Sequence, residues 1–292
     1  MQRLIEEMIR ARPVITDGAW GTQLQNLGLA PGECPDGWNL LHPERVRDVA
    51  RRYVDAGSDV ILTNTFRSNR IALAPFGLAE SAVALNRAGV ELSRAAAGSR
   101  VKVFASMGPS GTMLMTGEVG AEELSSAFGE QARAFAEAGS DAIVVETMSD
   151  IEEAKLALAA ARATGLPVVV SMVFDSGREK DRTMMGATVE QVAQELTEAG
   201  ADVVGANCGL GIDGYVPIGR RLRAATDRPI WIKPNAGLPE LIDGAIQYRT
   251  GPDHFASHAR ILRDAGVHFI GGCCGTTPEF IRALKAALSP ET

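Results

Sequence analysis

The chain has 292 residues, 46% of them hydrophobic, with 36 acidic against 29 basic side chains and a formal net charge of −7. This composition excludes a disordered chain, a collagen and a disulfide miniprotein, and the acidic balance without any Lys/Arg-rich run argues against nucleic acid or an anionic membrane as partner. The first ten residues carry Glu6 and Glu7, and no window reaches about 18 uninterrupted apolar residues, so there is no targeting or membrane-spanning signal and a cytoplasmic location is expected.

In chain order, residues 1–10 read as a helix closing one end of the fold. Eight short apolar or β-branched runs follow: Val14–Asp17, Asp59–Phe66, Val101–Met107, Ala142–Met148, Val168–Phe174, Asp202–Cys208, Ile230–Asn235 and Phe269–Cys274. They have the character of buried parallel strands. Between them lie Ala/Leu/Arg/Glu-rich stretches at helical period, among them Glu44–Ala56, Ser81–Ala97, Glu122–Ala138, Ile151–Thr164, Val189–Ala199 and Pro252–Ala265, with a last helix at Pro278–Leu288. Alternation of strand and helix points to an α/β fold.

A sparse repeat sharpens that reading. Ala56-Gly57-Ser58-Asp59, Ala138-Gly139-Ser140-Asp141, Ala199-Gly200-Ala201-Asp202 and Ala265-Gly266-Val267-His268 each end a helix on a glycine suited to the left-handed cap and then enter an even-numbered strand. The fifth and seventh strands are entered through Pro167 and Pro229 instead. A period of two βα units occurring four times is what a closed (β/α)8 TIM barrel permits, and residues 1–292 are expected to form that single barrel domain. Helix-to-strand turns are short, whereas the strand-to-helix segments 18–43, 108–120, 175–188 and 236–251 are long and Gly-rich. Function is therefore expected at the C-terminal ends of the strands.

Three of the four cysteines fall on that rim. Cys208 ends the sixth strand and Cys273-Cys274 end the eighth, flanked by glycines. Neighbouring residues in a strand point to opposite sides, so both thiols of the pair reach one point only if the backbone leaves strand geometry. Three thiolates suit a borderline-soft divalent metal, Zn²⁺ before others, and three protein ligands leave an open position of the catalytic type. Zinc holds a bound thiol ionised near neutral pH, so the expected chemistry is activation of a small thiol for attack on an electrophile. No catalytic residue is expected beyond the metal site. A pair of buried core thiols and a redox pair are the competing readings.

Asn235, ending the seventh strand between the cysteine-bearing ones, is a candidate displaceable oxygen ligand, or else a residue that shapes the Pro-Asn-Ala-Gly turn. Cys34 lies apart and is not counted as a ligand. His42, His254, His258 and His268 lack metalloprotease spacing and read as surface or structural residues. Met113 and Met115, in the loop after the third strand, read as loop packing.

On the markers Asp17-Gly18-Ala19-Trp20-Gly21-Thr22, Thr63-Asn64-Thr65-Phe66, Glu146-Thr147, Asn207-Cys208, Pro234-Asn235-Ala236-Gly237-Leu238-Pro239 and Gly271-Gly272-Cys273-Cys274-Gly275-Thr276-Thr277-Pro278, the chain resembles the homocysteine S-methyltransferase family over about residues 12–288. The last two motifs look most like the homocysteine-binding module of cobalamin-dependent methionine synthase. The resemblance implies zinc on Cys208, Cys273 and Cys274, homocysteine sulfur as the further ligand, and methionine as product. It also implies that Asp17 and Glu146 hold the substrate ammonium and places Asn207 among the substrate-binding residues. Backbone N–H groups of Gly18 and Ala19, in a Gly-rich turn, are candidates for the substrate carboxylate.

The methyl donor is not evident from the residues. Motifs of the synthase type, with no folate or cobalamin module in sight, lead to the expectation of a methylcorrinoid protein on a separate chain. Direct use of betaine, S-methylmethionine or another sulfonium is the alternative, and a non-catalytic zinc- or homocysteine-binding barrel is the reading from another class.

Overall fold

The computed structural model describes residues 2–10, 13–242 and 245–289. Eight parallel strands form the barrel: β1 Val14–Ile15, β2 Val60–Ile61, β3 Lys102–Met107, β4 Ala142–Met148, β5 Val168–Met172, β6 Val203–Gly211, β7 Ile230–Asn235 and β10 Phe269–Ile270. They pair in the order β1-β10-β7-β6-β5-β4-β3-β2, and a separate antiparallel hairpin, β8 Glu240–Ile242 and β9 Ala245–Gln247, sits in the loop after β7. Sequence reading did not anticipate that hairpin. It also made the first, second and eighth strands too long, because near the rim side chains take over from the ladder.

The seam between β1 and β2 shows the substitution. No strand ladder joins them among the described residues. Instead Asp59 N–H donates to Ile15 O (2.7 Å), Ile15 N–H donates to Asp59 Oδ2 (2.9 Å), and Leu62 N–H donates to Asp17 Oδ2 (2.7 Å). Backbone donors left without a strand partner must find another acceptor when buried, and two aspartates supply it.

The Ala-Gly repeat has the same logic at the opposite end. Its glycines are left-handed (Gly57 φ 101°, Gly139 φ 86°, Gly200 φ 92°, Gly266 φ 87°). The residue closing each repeat accepts an N–H at the start of the neighbouring odd-numbered strand: Ile15 N to Asp59 Oδ2, Val103 N to Asp141 Oδ2, Val168 N to Asp202 Oδ2 and Ile230 N to His268 Nδ1, all at 2.9–3.1 Å. Each returns its own N–H to the carbonyl of that same partner. His268 can accept only as neutral imidazole, and burial together with nearby Arg223 lowers its pKa.

The barrel interior is packed rather than hollow. Val14, Val60, Leu62, Phe104, Ala142, Val144, Val169, Val203, Trp231 and Phe269 fill it, and Ile5 of helix Arg3–Met8 plugs the N-terminal end as the sequence suggested. Gly205 leaves room for Trp231, whose backbone oxygen a Cβ there would strike. Outside, helices such as Pro43–Ala56, Ala82–Ala97, Ala121–Glu137 and Pro278–Leu288 bury an apolar stripe against the outer strand faces. Among the described residues, no helix is long and apolar enough to cross a membrane.

A three-cysteine centre above a buried charged layer

Cys208 lies in β6 where the pairing with β7 slips between Asn207 and Gly211, and its φ of 62° is left-handed. A left-handed non-glycine residue costs about 1–3 kcal/mol and persists only where its surroundings enforce it. Here Tyr215 Oη–H donates to Cys208 O at 2.7 Å. The bulge turns the Cys208 thiol toward the rim.

Cys273 and Cys274 stand beyond the end of β10, in a turn rather than in the strand expected for them. Cys273 N–H donates to Pro234 O (2.7 Å), Cys274 N–H to Asn235 Oδ1 (3.0 Å), and Thr276 N–H back to Cys273 O (3.1 Å). In a turn, adjacent side chains are free to converge, and the Sγ atoms of Cys208, Cys273 and Cys274 all lie within 4.8 Å of one another. The flanking glycines are required by space: a Cβ on Gly272 would strike Thr276, and one on Gly275 (φ 79°) would strike the Tyr248 ring.

The three thiols share protons with one another. Hydrogen bonds from Cys273 and Cys274 pull Cys208 down to about 3. The same contact pushes Cys273 well above the normal thiol value, and Cys274 to about 11. Their mutual hydrogen bonds thus favour the thiolate at Cys208 and the thiol at Cys273 and Cys274. A divalent cation would replace those two protons, so three partly exposed thiols at this separation fit Zn²⁺. The Asn235 oxygen accepts from Cys274 N–H, and its side chain also hydrogen-bonds to Cys208. Cys34 is buried in a satellite cluster with Leu73, Ala82 and Leu85, apart from this centre.

Beneath the thiols the barrel changes character. Two residues beyond Phe104, Val144, Val169, Gly205 and Trp231, on the same inward face of each strand, stand Ser106, Glu146, Ser171, Asn207 and Lys233, all buried. Lys233 Nζ donates to Asp17 Oδ1 at 2.5 Å, while Trp20 Nε1–H (2.8 Å) and Leu62 N–H (2.7 Å) donate to Asp17 Oδ2. Burial opposes the Lys233 charge, yet Asp17 and Glu146 outweigh it and its pKa is raised. Glu146 accepts from Ser106 Oγ–H, and burial raises its pKa despite the opposing pull of Lys233. Two carboxylates and one ammonium leave room for one more positive charge.

The other sequence candidates divide. Asn207 spends its amide on bracing: Oδ1 accepts from Thr147 N–H (2.9 Å) and Ser171 Oγ–H (2.7 Å), and Nδ2 donates to Thr147 Oγ1 (2.7 Å). It thereby holds Thr147 at a left-handed φ of 61° beside Glu146. Ala19 N–H donates to Thr276 Oγ1 at 3.1 Å, whereas the Gly18 N–H has no partner among the described residues. Thr63 Oγ1 accepts from Ser106 N–H and Asn64 bonds to Asn39, so that motif braces the layer instead of lining it. Sequence reasoning missed Lys233 and Tyr248. Lysine inside the otherwise apolar run Ile230-Trp231-Ile232 was the available signal for the first; the hairpin that brings Tyr248 over Gly275 left none.

A family model described as homocysteine S-methyltransferase matches residues 14–288. Methionine synthases of Mycobacterium leprae and Mycobacterium tuberculosis are each 30% identical to the chain over 97% of its length; the chain spans about a quarter (25%) of theirs. The metallated form of the homocysteine methyltransferase MmuM from Escherichia coli shares the fold, with a TM-score of 0.80 at 24% identity over 97% of this chain and 98% of that one. On the extent of the family match, the chain belongs to the homocysteine S-methyltransferase family.

Proposed function

We propose that this barrel makes methionine by transferring a methyl group to the sulfur of homocysteine, with Zn²⁺ held by Cys208, Cys273 and Cys274. The observation that carries the reading is three convergent thiols directly above a buried layer with one carboxylate in excess. When bound, zinc supplies the positive charge that keeps a substrate thiol ionised near neutral pH. The chain's own residues do the rest. Glu146, which takes the Ser106 hydroxyl on Oε1, accepts the substrate ammonium. Asp17 already accepts from Lys233, Trp20 and Leu62, and it contributes to that subsite through its charge, through the remaining acceptor position on Oδ1 and by anchoring Lys233. Gly18 N–H takes the carboxylate, and Asn207 positions Thr147 and, through it, Glu146. Asn235 steadies Cys274 and Cys208, and its oxygen remains the candidate that yields to substrate. In the reaction the ionised sulfur forms a bond to the methyl carbon as the donor leaves with the bonding electrons.

For the donor, the rim favours a methylcorrinoid protein over a small cation. Six large apolar side chains, Met113, Met115, Met184, Met185, Leu238 and Leu241, are 40–77% exposed on the loops that follow β3, β5 and β7. Large apolar groups gathered on one face mark an interaction surface, and a macrocycle carried by a protein needs one where betaine or S-methylmethionine does not. Incubating zinc-loaded protein and homocysteine with methylcobalamin, betaine or S-methylmethionine, and following methionine, separates these donors. Turnover with a small donor alone rejects the corrinoid reading. Turnover with none, at full zinc content, favours a non-catalytic binding barrel. Cys273→Ala should lose zinc and methyl transfer together, and unchanged zinc content would remove the site assignment.

A further inference from the structure

A second cluster of ligand-type side chains lies outside the thiol centre. Asp213 opens helix Ile212–Ala225 after β6, and His254 and His258 occupy one face of helix Pro252–Asp264 after β7. The two histidines are four residues apart, which puts them on adjacent turns of the same helix face. His254 Nε2 is 3.0 Å from both Asp213 oxygens, and His258 Nε2 is 3.1 Å from Asp213 Oδ1. The three ligand atoms lie within 4.8 Å of one another.

The hydrogen bonds around the cluster fix which nitrogen of His258 is turned toward Asp213. His258 Nδ1 faces the carbonyl of His254 at 3.1 Å, an acceptor only, so Nδ1 carries the hydrogen. Ser257 agrees: its hydroxyl donates to the same carbonyl at 2.7 Å and so meets Nδ1 as an acceptor at 3.3 Å. That leaves His258 Nε2 facing Asp213 Oδ1, beside His254 Nε2, so that three ligand-type atoms converge on one point. A ring N–H given to a backbone carbonyl while the other nitrogen faces a metal is the usual support for a histidine ligand. Ligands about 2.0–2.1 Å from a tetrahedral metal sit roughly 3.3 Å apart, within a few tenths of an ångström of the separations seen.

We infer that Asp213, His254 and His258 form a second site for a first-row divalent cation such as Zn²⁺, on the outer rim of the barrel and independent of the thiol centre. Two imidazoles and one carboxylate suit zinc, cobalt or nickel rather than magnesium or calcium. The cation ties the helices flanking β7 together and fixes the exit of the 236–251 loop, which ends at Gly251 just before His254 and carries Tyr248 over Gly275.

Apo-protein is titrated with Zn²⁺ and bound metal is counted after gel filtration. Wild type should hold two equivalents; His258→Ala and Asp213→Asn should hold one and keep the thiol site; Cys208→Ala should hold one, and Cys208→Ala/His258→Ala none. Cobalt reports on the wild-type chain itself. One equivalent should bring thiolate-to-cobalt charge-transfer absorption, and the other only weak ligand-field bands, absent in His258→Ala. A single equivalent in wild type that carries the thiolate-to-cobalt charge-transfer band, or the same zinc stoichiometry in wild type and His258→Ala, overturns the second site. Loss of the thiol-site equivalent alone would instead count against the proposed function, so the two failures are distinguishable.

Discussion

Replacing Lys233 by Met tests the charged layer most sharply. Lys233 and Asp17 are both buried and 2.5 Å apart, and the substitution keeps the volume while deleting the only cation beside the carboxylate in that contact. Removing one partner of a buried ion pair costs about 3–5 kcal/mol, because the remaining charge is stranded in a medium that solvates it poorly. With an unfolding entropy of about 2.1 cal/mol/K per residue, a chain of 292 residues has an entropy near 0.6 kcal/mol/K, so the melting temperature should fall by about 5–8 °C. Calorimetry on the wild type, Lys233→Met and Lys233→Met/Asp17→Asn measures it. The double variant should regain at least half of the loss, since a neutral Asn still offers an oxygen to Trp20 and Leu62. A single variant within about 1 kcal/mol of wild type, or a double variant no better than the single, would refute the reasoning.

Glu146→Gln should raise the KM for homocysteine by about 10–100-fold, the difference of about 1.5–3 kcal/mol that a charged hydrogen bond carries, with zinc content unchanged; an unaltered KM would count against its ammonium role. Burial raises the Asp36 carboxyl to about 6 from 3.8, so the folded state binds the proton more tightly than the unfolded one. Its contribution to stability is full below about pH 4 and is lost as pH rises through about 6, by at most about 3 kcal/mol. Asp36→Asn, which keeps an acceptor for Ser68 Oγ–H and Arg67 N–H, should flatten that part of the urea-denaturation pH profile, and an unchanged slope would refute it. Gly205→Ala pushes a methyl group into the backbone of Trp231 and should destabilise by about 3 kcal/mol or more; a change in urea midpoint worth less than about 0.5 kcal/mol would show that the interior yields there.

The barrel and the rim on which the three thiols gather were legible because each rests on local chemistry. Glycine caps, prolines before strands and helical periodicity act within a few residues of themselves, and the Ala-Gly repeat carries in its last residue the acceptor that closes the barrel base. The convergence of three thiols was readable for a similar reason: Cys208 and the Cys273-Cys274 pair follow strands of one rim and are bracketed by glycines. The period of two also held the polar layer, since Ser106, Glu146, Ser171, Asn207 and Lys233 share one phase, but the phase has meaning only once the strands are known to close into a barrel.

What the amino-acid sequence determined by itself is therefore the architecture, the rim and the kind of chemistry the rim can hold. Tertiary structure alone decided how the charges are shared. Asp17 and Lys233 are 216 positions apart, and only barrel closure brings them into contact and occupies the carboxylate expected to face substrate. Asn207 and Thr147 meet across 60 positions, which gives Asn207 a bracing role that its place in the sequence did not show. Asp213 and His254, 41 positions apart, face each other because consecutive helices of a barrel lie side by side. Side-chain pairing between distant strands and helices depends on register and on the hand of the fold, and neither quantity is encoded in the local periodicity from which the elements were read.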